Sequence, residues 1–483
     1  MNKQIPQAWE HQKKALEMSF THPGLGLFMD VGVGKSRAAV DILRYRCAAH
    51  SRLLKTIILA PKITLTNWKN EFAKFSKISP RDVIVLSGPG KKRVRDFIKA
   101  CEHDDNLVKP KVIITNYEAL QMTDLFECFM EWGPEVMIAD EAHRLKNPAS
   151  KRAKACIKLS DLAKYKYALT GTPILNSAMD IFNIYRFIDG GATFGKNFFG
   201  FRGTWFEDKN AGMPSHAHFP KYVPRPGTYE EFNKLIFKKA LLAKKSECLD
   251  LPPFVKKEVH TELGPEQRKM YNQMKKEYIA FVEDLEKSDE PRAVVAQLAV
   301  TKALRLQQIV TGFAKTEQGD IHKIKVNPRL AALEELLKDN MESSKIIVWA
   351  VFKENYIDIA NLCEKIGVKF VDLTGQTKNK DRDENIEAFE TDPEVRVMIA
   401  NQAAGGIGIN LVASDLSIYF SKNFSLEHDI QSEGRNYRGG SEKHKKVTRI
   451  DIVCPETIDE LISQALSTKQ NIANTILAWK DKL

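Results

Sequence analysis

Short apolar, β-branched runs recur through the first 190 positions, each followed by a stretch whose apolar residues fall at helical intervals. The runs at 25–29, 56–60, 83–86, 112–115, 136–139 and 167–169 predict strands. The stretches at 36–48 and 65–75 predict amphipathic helices. Strands alternating with helices at this spacing predict βαβ units and a parallel, doubly wound sheet.

That rhythm stops near residue 190. Residues 190–230 concentrate Gly, Pro and aromatic side chains, among them Phe194, Phe198, Phe199, Phe201, Trp205, Phe206 and Phe219. They predict an irregular excursion, a packed protrusion rather than a wedge that stacks on a nucleic-acid junction. Residues 228–340 read as mostly helical, broken at Pro252 and Pro253, with helical periodicity at 263–287 and 294–309. Strand runs resume at 345–351, 370–373, 395–400, 416–419 and 448–453. The expected layout is an α/β domain over 1–190, an aromatic-rich and helical insert over 191–340, a second α/β domain over 341–456 and a helical tail over 457–483.

A chain of 483 residues has room for two or more full-sized cores. Hydrophobic content of 43% with 28% charged residues is ordinary for a globular protein and argues against wholesale disorder. The longest apolar runs, at 57–61 and 346–352, are far too short to span a bilayer. No charged-then-apolar signal segment precedes Trp9, so membrane and secreted classes are not expected. The seven cysteines, at 47, 101, 128, 156, 248, 363 and 454, show no zinc-ligand or redox spacing, which fits reduced thiols in a cytoplasmic protein. Lys and Arg exceed Asp and Glu by 73 to 62, a net charge of +11 that favours a polyanionic partner.

Two segments carry candidate chemistry. The predicted strand at 25–29 runs into Asp30, Gly32, Gly34, Lys35 and Ser36 and then into a predicted helix. A glycine loop between strand and helix exposes consecutive backbone N–H groups, and the helix N-terminus adds partial positive charge. Lys35 suits the β- and γ-phosphates of a nucleotide, and the Ser36 hydroxyl suits Mg2+. Met29 stands at the first glycine position of the phosphate-loop pattern, a departure from it. The second segment is the apolar strand that ends in Asp140, Glu141, Ala142 and His143. There Asp140 suits Mg2+ through water and Glu141 suits the attacking water.

Taken together with further segments in fixed order, these residues resemble a superfamily-two helicase motor, closest to the Swi/Snf-type DNA translocases. Gln12, after Trp9, Glu10 and His11, is similar to the adenine-reading glutamine motif. Pro61, followed by Asn67, Trp68, Glu71 and Phe72, resembles the first DNA-contacting segment, and Thr115, Asn116, Tyr117 and Glu118 the second. The run at 169–176, with Thr170, Thr172 and Asn176, matches the coupling motif. Val371 to Gly375 with Arg382, then Gly405, Gly406, Gly408 and Asn410, then Gln431, Gly434, Arg435 and Arg438, resemble the later motifs. Ser36, Gly440 and the pair Lys238 and Lys239 depart from the common pattern. With no room for a chromatin-reading module, the chain resembles compact bacterial or phage members more than a nucleosome remodeller.

The resemblance implies two RecA-like domains facing each other across a nucleotide cleft. It implies ATP and Mg2+ as cofactors, with Lys35, Asp140, Glu141, Gln431, Arg435 and Arg438 catalytic and Arg435 and Arg438 as arginine fingers. Gln12, Gly32, Gly34, Lys35 and Ser36 would bind nucleotide; Ser36 and Asp140 would hold the metal. Lys62, Asn67, Thr115, Asn116, Gly405, Gly406 and Asn410 would contact DNA, and Thr170 and Thr172 would couple the two sites. Trp68 fits a base or sugar contact, but its spacing from Phe72 and Phe75 fits core packing. The basic clusters at 91–95, at 238–239 with 244–245, and at 443–446 fit either a duplex or a solvated face.

The function expected is an ATP-driven motor on double-stranded or branched DNA, with fork or Holliday-junction remodelling as its task and a monomer as the default state. A strand-separating helicase on single-stranded DNA or RNA is the alternative. A non-catalytic nucleic-acid-binding scaffold is disfavoured by the intact catalytic set, and a metabolic P-loop kinase by the second α/β unit.

Overall fold

A computed structural model of the chain describes residues 5–101, 111–171, 178–212, 220, 222–286, 292–316, 319–405 and 409–468. The chain divides into two compact units, Met1–Leu249 and Asp250–Leu483.

The first unit is built on β1 (Gly24–Met29), β2 (Thr56–Ala60), β3 (Val83–Val85), β4 (Val112–Asn116), β5 (Val136–Asp140) and β6 (Tyr165–Thr170). Strands β7 (Phe206–Asp208) and β8 (Tyr222–Pro224) form a separate antiparallel ribbon, and β9 (Ala240–Ala243) returns to pair with β1. The seven-stranded sheet has the order β3-β4-β2-β5-β6-β1-β9, and every pairing in it is parallel. Successive side chains point to opposite faces, which explains why the strands read as continuous apolar runs. Ile57, Leu59, Ile113 and Met137 enter one core layer, while Ile58, Ala60, Ile114 and Ile138 enter the other. Truncating Ile58 or Ile138 to Ala should cost about 2–5 kcal/mol, because helices on both faces leave little room to collapse.

The second unit repeats the plan. Strand β10 (Phe254–His260) comes first, and β11 (Phe313–Lys315) and β12 (Ile321–Lys323) form a small hairpin. Next come β13 (Ile346–Ala350), β14 (Lys369–Leu373), β15 (Val395–Asn401), β16 (Leu416–Tyr419) and β17 (Val447–Val453). Their sheet has the order β10-β17-β16-β13-β15-β14 and is likewise all parallel. Ile346 and Val348 face one core layer, Ile347 and Trp349 the other. Both units are therefore doubly wound α/β domains.

Residues 191–340, expected as one insert, divide between the units. Phe194, Phe201, Phe206 and Phe232 pack into the core of the first unit, with the Phe194 and Phe201 rings 5.3 Å apart and Phe194 and Phe232 5.2 Å apart. The helices Pro265–Glu286 and Arg292–Val310 belong to the second unit. Of the strands in this stretch, β9 and β10 join the two main sheets at their edges, and neither was expected. Lys256, Lys257 and Glu258 of β10 are exposed, as polar edge positions that discourage further pairing generally are. Of the expected tail, the helix Ile458–Thr468 is described and 469–483 lie outside the described residues.

Candidate active site

Parallel pairing places every strand's carboxyl end on one edge of the first sheet, the edge where open α/β sheets bind ligands. Register aligns that edge residue by residue. Asp140 of β5 sits opposite Leu169 of β6, which sits opposite Leu27 of β1. One position later, Thr170 lies opposite Phe28. The chain leaving β1 therefore emerges beside Thr170, and Thr170 beside Asp140.

The loop after β1 turns through Gly32 and Gly34, whose φ values of 92° and 78° lie in the left-handed region. Gly34 caps the helix Lys35–Ala49 in that conformation. A Cβ there would lie 2.3 Å from Gln12 Nε2, so both backbone angle and space demand glycine. The Lys35 ammonium folds back to donate to the Met29 carbonyl at 2.9 Å and the Asp30 carbonyl at 3.4 Å. Gln12 accepts from Trp9 N–H at 2.9 Å and donates to the Gly34 carbonyl at 3.3 Å, and His11 Nε2 donates to the Val33 carbonyl at 2.7 Å. The adenine candidate is thereby held against the phosphate-loop candidates. Ser36 lies half-buried in the first turn of the helix.

Asp140 is buried and each oxygen of its carboxylate accepts one hydrogen bond, which leaves acceptor capacity on both. Oδ2 accepts from the indole N–H of Trp68 at 2.9 Å, and Oδ1 accepts the Glu141 backbone N–H at 3.0 Å. Burial pushes its carboxyl up to about 6, and the neighbouring Glu141 charge adds to the rise. The Trp68 hydrogen bond and the Lys35 charge pull the other way. Glu141 has φ 51°, left-handed and strained for a side chain of this kind, which turns it out of the strand line into a short 3-10 turn over Ala142–Leu145. His143 Nδ1 lies 3.4 Å from Glu141 Oε2 and 3.3 Å from Thr170 Oγ1. This ring links the acidic box to the first coupling candidate. Thr172 lies outside the described residues. A buried carboxylate raised by a second one, with a hydroxyl and an ammonium on neighbouring elements, is a donor set that fits Mg2+ and phosphate oxygens.

The DNA-contact candidates of the first unit separate by exposure. Lys62 is exposed and Asn67 half-buried, just beyond the end of β2. Thr115 and Asn116 are buried at the end of β4 and turn inward. Thr115 Oγ1 donates to the Leu86 carbonyl at 3.2 Å, while Asn116 Oδ1 accepts from Arg93 at 2.6 Å and its amide donates to Glu118 at 2.6 Å.

In the second unit, Gly405 closes the short helix Gln402–Gly405 after β15, Asn410 is exposed, and Gly406 lies outside the described residues. The helix Leu426–Glu433 carries Gln431, which is buried and donates to Glu427 at 3.1 Å. Arg435 is also buried, donating from Nε to the Gln431 carbonyl at 2.8 Å and from Nη1 to the Ile409 carbonyl at 2.9 Å. Arg438 Nη1 donates to the same carbonyl at 3.0 Å, and Leu411 N–H returns a bond to the Arg435 carbonyl at 3.1 Å. Ile409 and Leu411 are thus tied to the arginine pair by backbone and guanidinium bonds.

Comparison with known proteins decides the family. A model of the SNF2-related domain matches residues 11–311, more than half of the chain, and one of the helicase conserved C-terminal domain matches 328–440. The chain belongs to the SNF2-related family. A human SWI/SNF-related matrix-associated actin-dependent regulator of chromatin, subfamily A member 1, is 25% identical over 93% of this chain and 41% of its own length. An uncharacterized ATP-dependent helicase of Mycoplasma genitalium is 23% identical over 93% of this chain and 40% of its own. The chain thus spans about two-fifths of the length of these curated relatives. The SWI2/SNF2 ATPase core of Sulfolobus solfataricus, solved in complex with dsDNA, is 23% identical over 99% of this chain and 94% of that one, with a TM-score of 0.44.

Three residues of this SNF2-related chain shape the site through contacts that their motifs do not specify. Trp68 is buried and bonded to Asp140, so it packs in the core and also reaches the acidic box. Arg93, the middle residue of a basic cluster, is buried and holds Gly88 and Asn116, while Lys91, Lys92 and Arg95 stay exposed. Arg449 of β17 lies under the helix of Gln431, bonded to Asp429, Glu433 and Asp451, with its guanidinium 3.8 Å from the centre of the Tyr419 ring. The signal for Arg449 was a lone arginine inside an apolar strand run, which marks a buried charge with partners rather than a surface one.

Proposed function

We propose that this chain hydrolyses ATP with Mg2+ to move along double-stranded or branched DNA. One observation carries the reading. Lys35, Thr170 and Asp140 leave adjacent strands β1, β6 and β5 on the same sheet edge from which β2 and β4 launch the nucleic-acid segments. A single edge can then bind nucleotide at one end and respond to a polyanion at the other.

In this reading the Lys35 ammonium and the N–H groups of the 32–36 loop bind the phosphates, and Gln12 reads the base. Ser36 and Asp140 hold Mg2+, which supplies charge neutralisation on the phosphate oxygens. Glu141, turned out of its strand, orients the attacking water and accepts its proton, and His143 passes the state of Glu141 to Thr170. Arg435 and Arg438 neutralise charge developing on the transferred phosphoryl group. Fork or junction remodelling is the task proposed for such a minimal motor, in a cytoplasmic setting that suits seven free cysteines.

Steady-state hydrolysis, with no DNA, single-stranded DNA, linear duplex and a four-way junction at one fixed salt, tests the proposal. Stimulation by duplex or junction well above that by single strand is expected. Stimulation chiefly by single strand transfers the assignment to a strand-separating helicase, and no stimulation removes DNA as the partner. Lys35→Ala should abolish turnover while duplex affinity stays within about twofold, because the Lys35 ammonium is assigned to the nucleotide phosphates and not to the duplex.

A further inference from the structure

Two aromatic side chains, one from each nucleic-acid segment of the first unit, end on the same residue. Trp68 lies on the helix Leu65–Phe75, which starts right after the turn Lys62–Thr64 that follows β2. Tyr117 follows Asn116 directly at the end of β4. Both are buried, at 1% and 0% exposure, and each has a single polar tip. The Trp68 N–H donates to Asp140 Oδ2 at 2.9 Å, and the Tyr117 hydroxyl donates to the Asp140 carbonyl at 2.7 Å. One grips the carboxylate, the other the backbone of the same residue.

A buried indole or phenol needs a partner for its polar tip, but a backbone carbonyl of its own helix or turn would serve that need. Here both tips leave their own segments and converge on the end of β5, which neighbours β2 and lies one strand beyond it from β4. The strand register explains how they reach it. Ala60 pairs with Asn116, and Leu59 with Ala139, so the chain leaving β2 and β4 departs level with Asp140. The segments that carry Lys62 and Asn67 on one side, and Asn116 on the other, are tied to Asp140 by one hydrogen bond each.

We propose that Trp68 and Tyr117 are positioning residues that transmit nucleic-acid engagement to Asp140. A polyanion that shifts either segment shifts a donor on Asp140, and with it the orientation of the carboxylate. The inference rests on the proposed motor function and deepens it, naming the route by which DNA reaches the nucleotide site. Neither residue touches substrate in this scheme.

Trp68→Phe and Tyr117→Phe remove only the donor and keep a ring in place. The test uses the full chain, mant-ADP with Mg2+ as the nucleotide probe and a fluorescein-labelled duplex as the DNA probe. Wild type should change its mant-ADP affinity when duplex is added, and its ATP turnover should rise. Each variant should bind duplex within about twofold of wild type; Trp68→Phe should lose about tenfold of the duplex-dependent response, the scale of one hydrogen bond to a charged acceptor, and Tyr117→Phe about fivefold, the scale of one to a neutral carbonyl. Unchanged melting temperature alongside that loss separates positioning from a purely structural role. Should Trp68→Phe fail to fold, Tyr117→Phe, which alters one oxygen atom, carries the test alone. Variants that respond to duplex as wild type does overturn the inference and leave the motor assignment standing. A wild-type chain that hydrolyses ATP but ignores duplex overturns both.

Discussion

Arg435 and Arg438 share one acceptor, the carbonyl oxygen of Ile409, at 2.9 and 3.0 Å. A guanidinium has five donors in a rigid fork, so this shared acceptor fixes the position of each arginine. The Ile409 carbonyl sits beside Asn410, a DNA-contact candidate, so the arginines are anchored to the segment expected to grip nucleic acid. Arg435→Ala should keep nucleotide affinity near wild type but lower kcat by about 10³ or more, the range for a lost arginine finger. Arg435→Lys should recover little, since an ammonium cannot span Gln431 and Ile409 together. Single-turnover kinetics beside mant-nucleotide binding make the separation, and a mere twofold loss in kcat would remove Arg435 from the catalytic set.

Gly34 is a position where geometry alone predicts failure. Its φ of 78° costs an L-residue about 1–2 kcal/mol, and an added Cβ would lie 2.3 Å from the Gln12 amide. Gly34→Ala should therefore displace Gln12 and weaken nucleotide binding by about tenfold, while far-UV circular dichroism stays unchanged. Gly195→Ala is the matched control, because its φ of 78° carries the same backbone cost with nothing near the new Cβ. Equal nucleotide affinity in the two variants would show that the Gln12 contact is unimportant.

How far the sequence could be read depended on burial. Strands buried on both faces, such as Thr56–Ala60 and Val136–Asp140, announce themselves as apolar runs, and the glycines and Lys35 between strand and helix mark a phosphate loop. The edge strand Phe254–His260 does not: three consecutive charged residues, Lys256, Lys257 and Glu258, interrupt its apolar positions on a strand paired along one side only. Side-chain direction was also hidden. Thr115 and Asn116 occupy motif positions that suggest an exposed grip, yet both are buried, with Asn116 held by Arg93, 23 residues away. Such a partnership depends on a crossover connection, which local periodicity does not encode.

Arg449 should be a stability residue of the second unit. Its guanidinium bonds Asp429 at 2.8 Å, Glu433 at 3.0 Å and Asp451 at 2.7 Å, and Lys422 meets Asp451 at 3.0 Å. Burial acts to raise the Asp451 carboxyl, but Lys422 and Arg449 outweigh it and hold it below its ordinary value of 3.8. A depressed folded value contributes stability that is present above 3.8 and lost as pH falls through it. Arg449→Met removes one cation from three carboxylates and should cost about 3–5 kcal/mol, the scale for half of a buried ion pair. Urea unfolding monitored at neutral pH measures the loss. The variant should also lose activity through Gln431, whose helix Arg449 bonds at Asp429 and Glu433, and through Arg435, which bonds the Gln431 carbonyl. A loss under about 1 kcal/mol would mean that the cluster is solvated and the network unimportant.

The basic clusters divide into exposed residues and residues held by partners within the fold. Lys91, Lys92 and Arg95 are exposed on the helix Gly90–Cys101, and Lys443, Lys445 and Lys446 are exposed before β17. Arg93, in the middle of the first cluster, is buried against Gly88 and Asn116, and Lys239 is paired with Asp189 at 2.8 Å. Each phosphate neutralised contributes about 0.9 to the slope of log affinity against log salt on duplex DNA. Replacing Lys443, Lys445 and Lys446 together by Ala should therefore flatten that slope by up to about 2.7 if all three meet phosphates. Arg93→Ala should leave the slope unchanged and instead lower thermal stability, because it strips the Asn116 side chain of its partner inside the fold. Anisotropy titrations of a labelled duplex at four salt concentrations, beside thermal melts, distinguish the two kinds of basic residue. An unchanged slope in the triple variant would place the duplex elsewhere on the chain, and a flattened slope in Arg93→Ala would mean that the buried arginine swings out to the DNA.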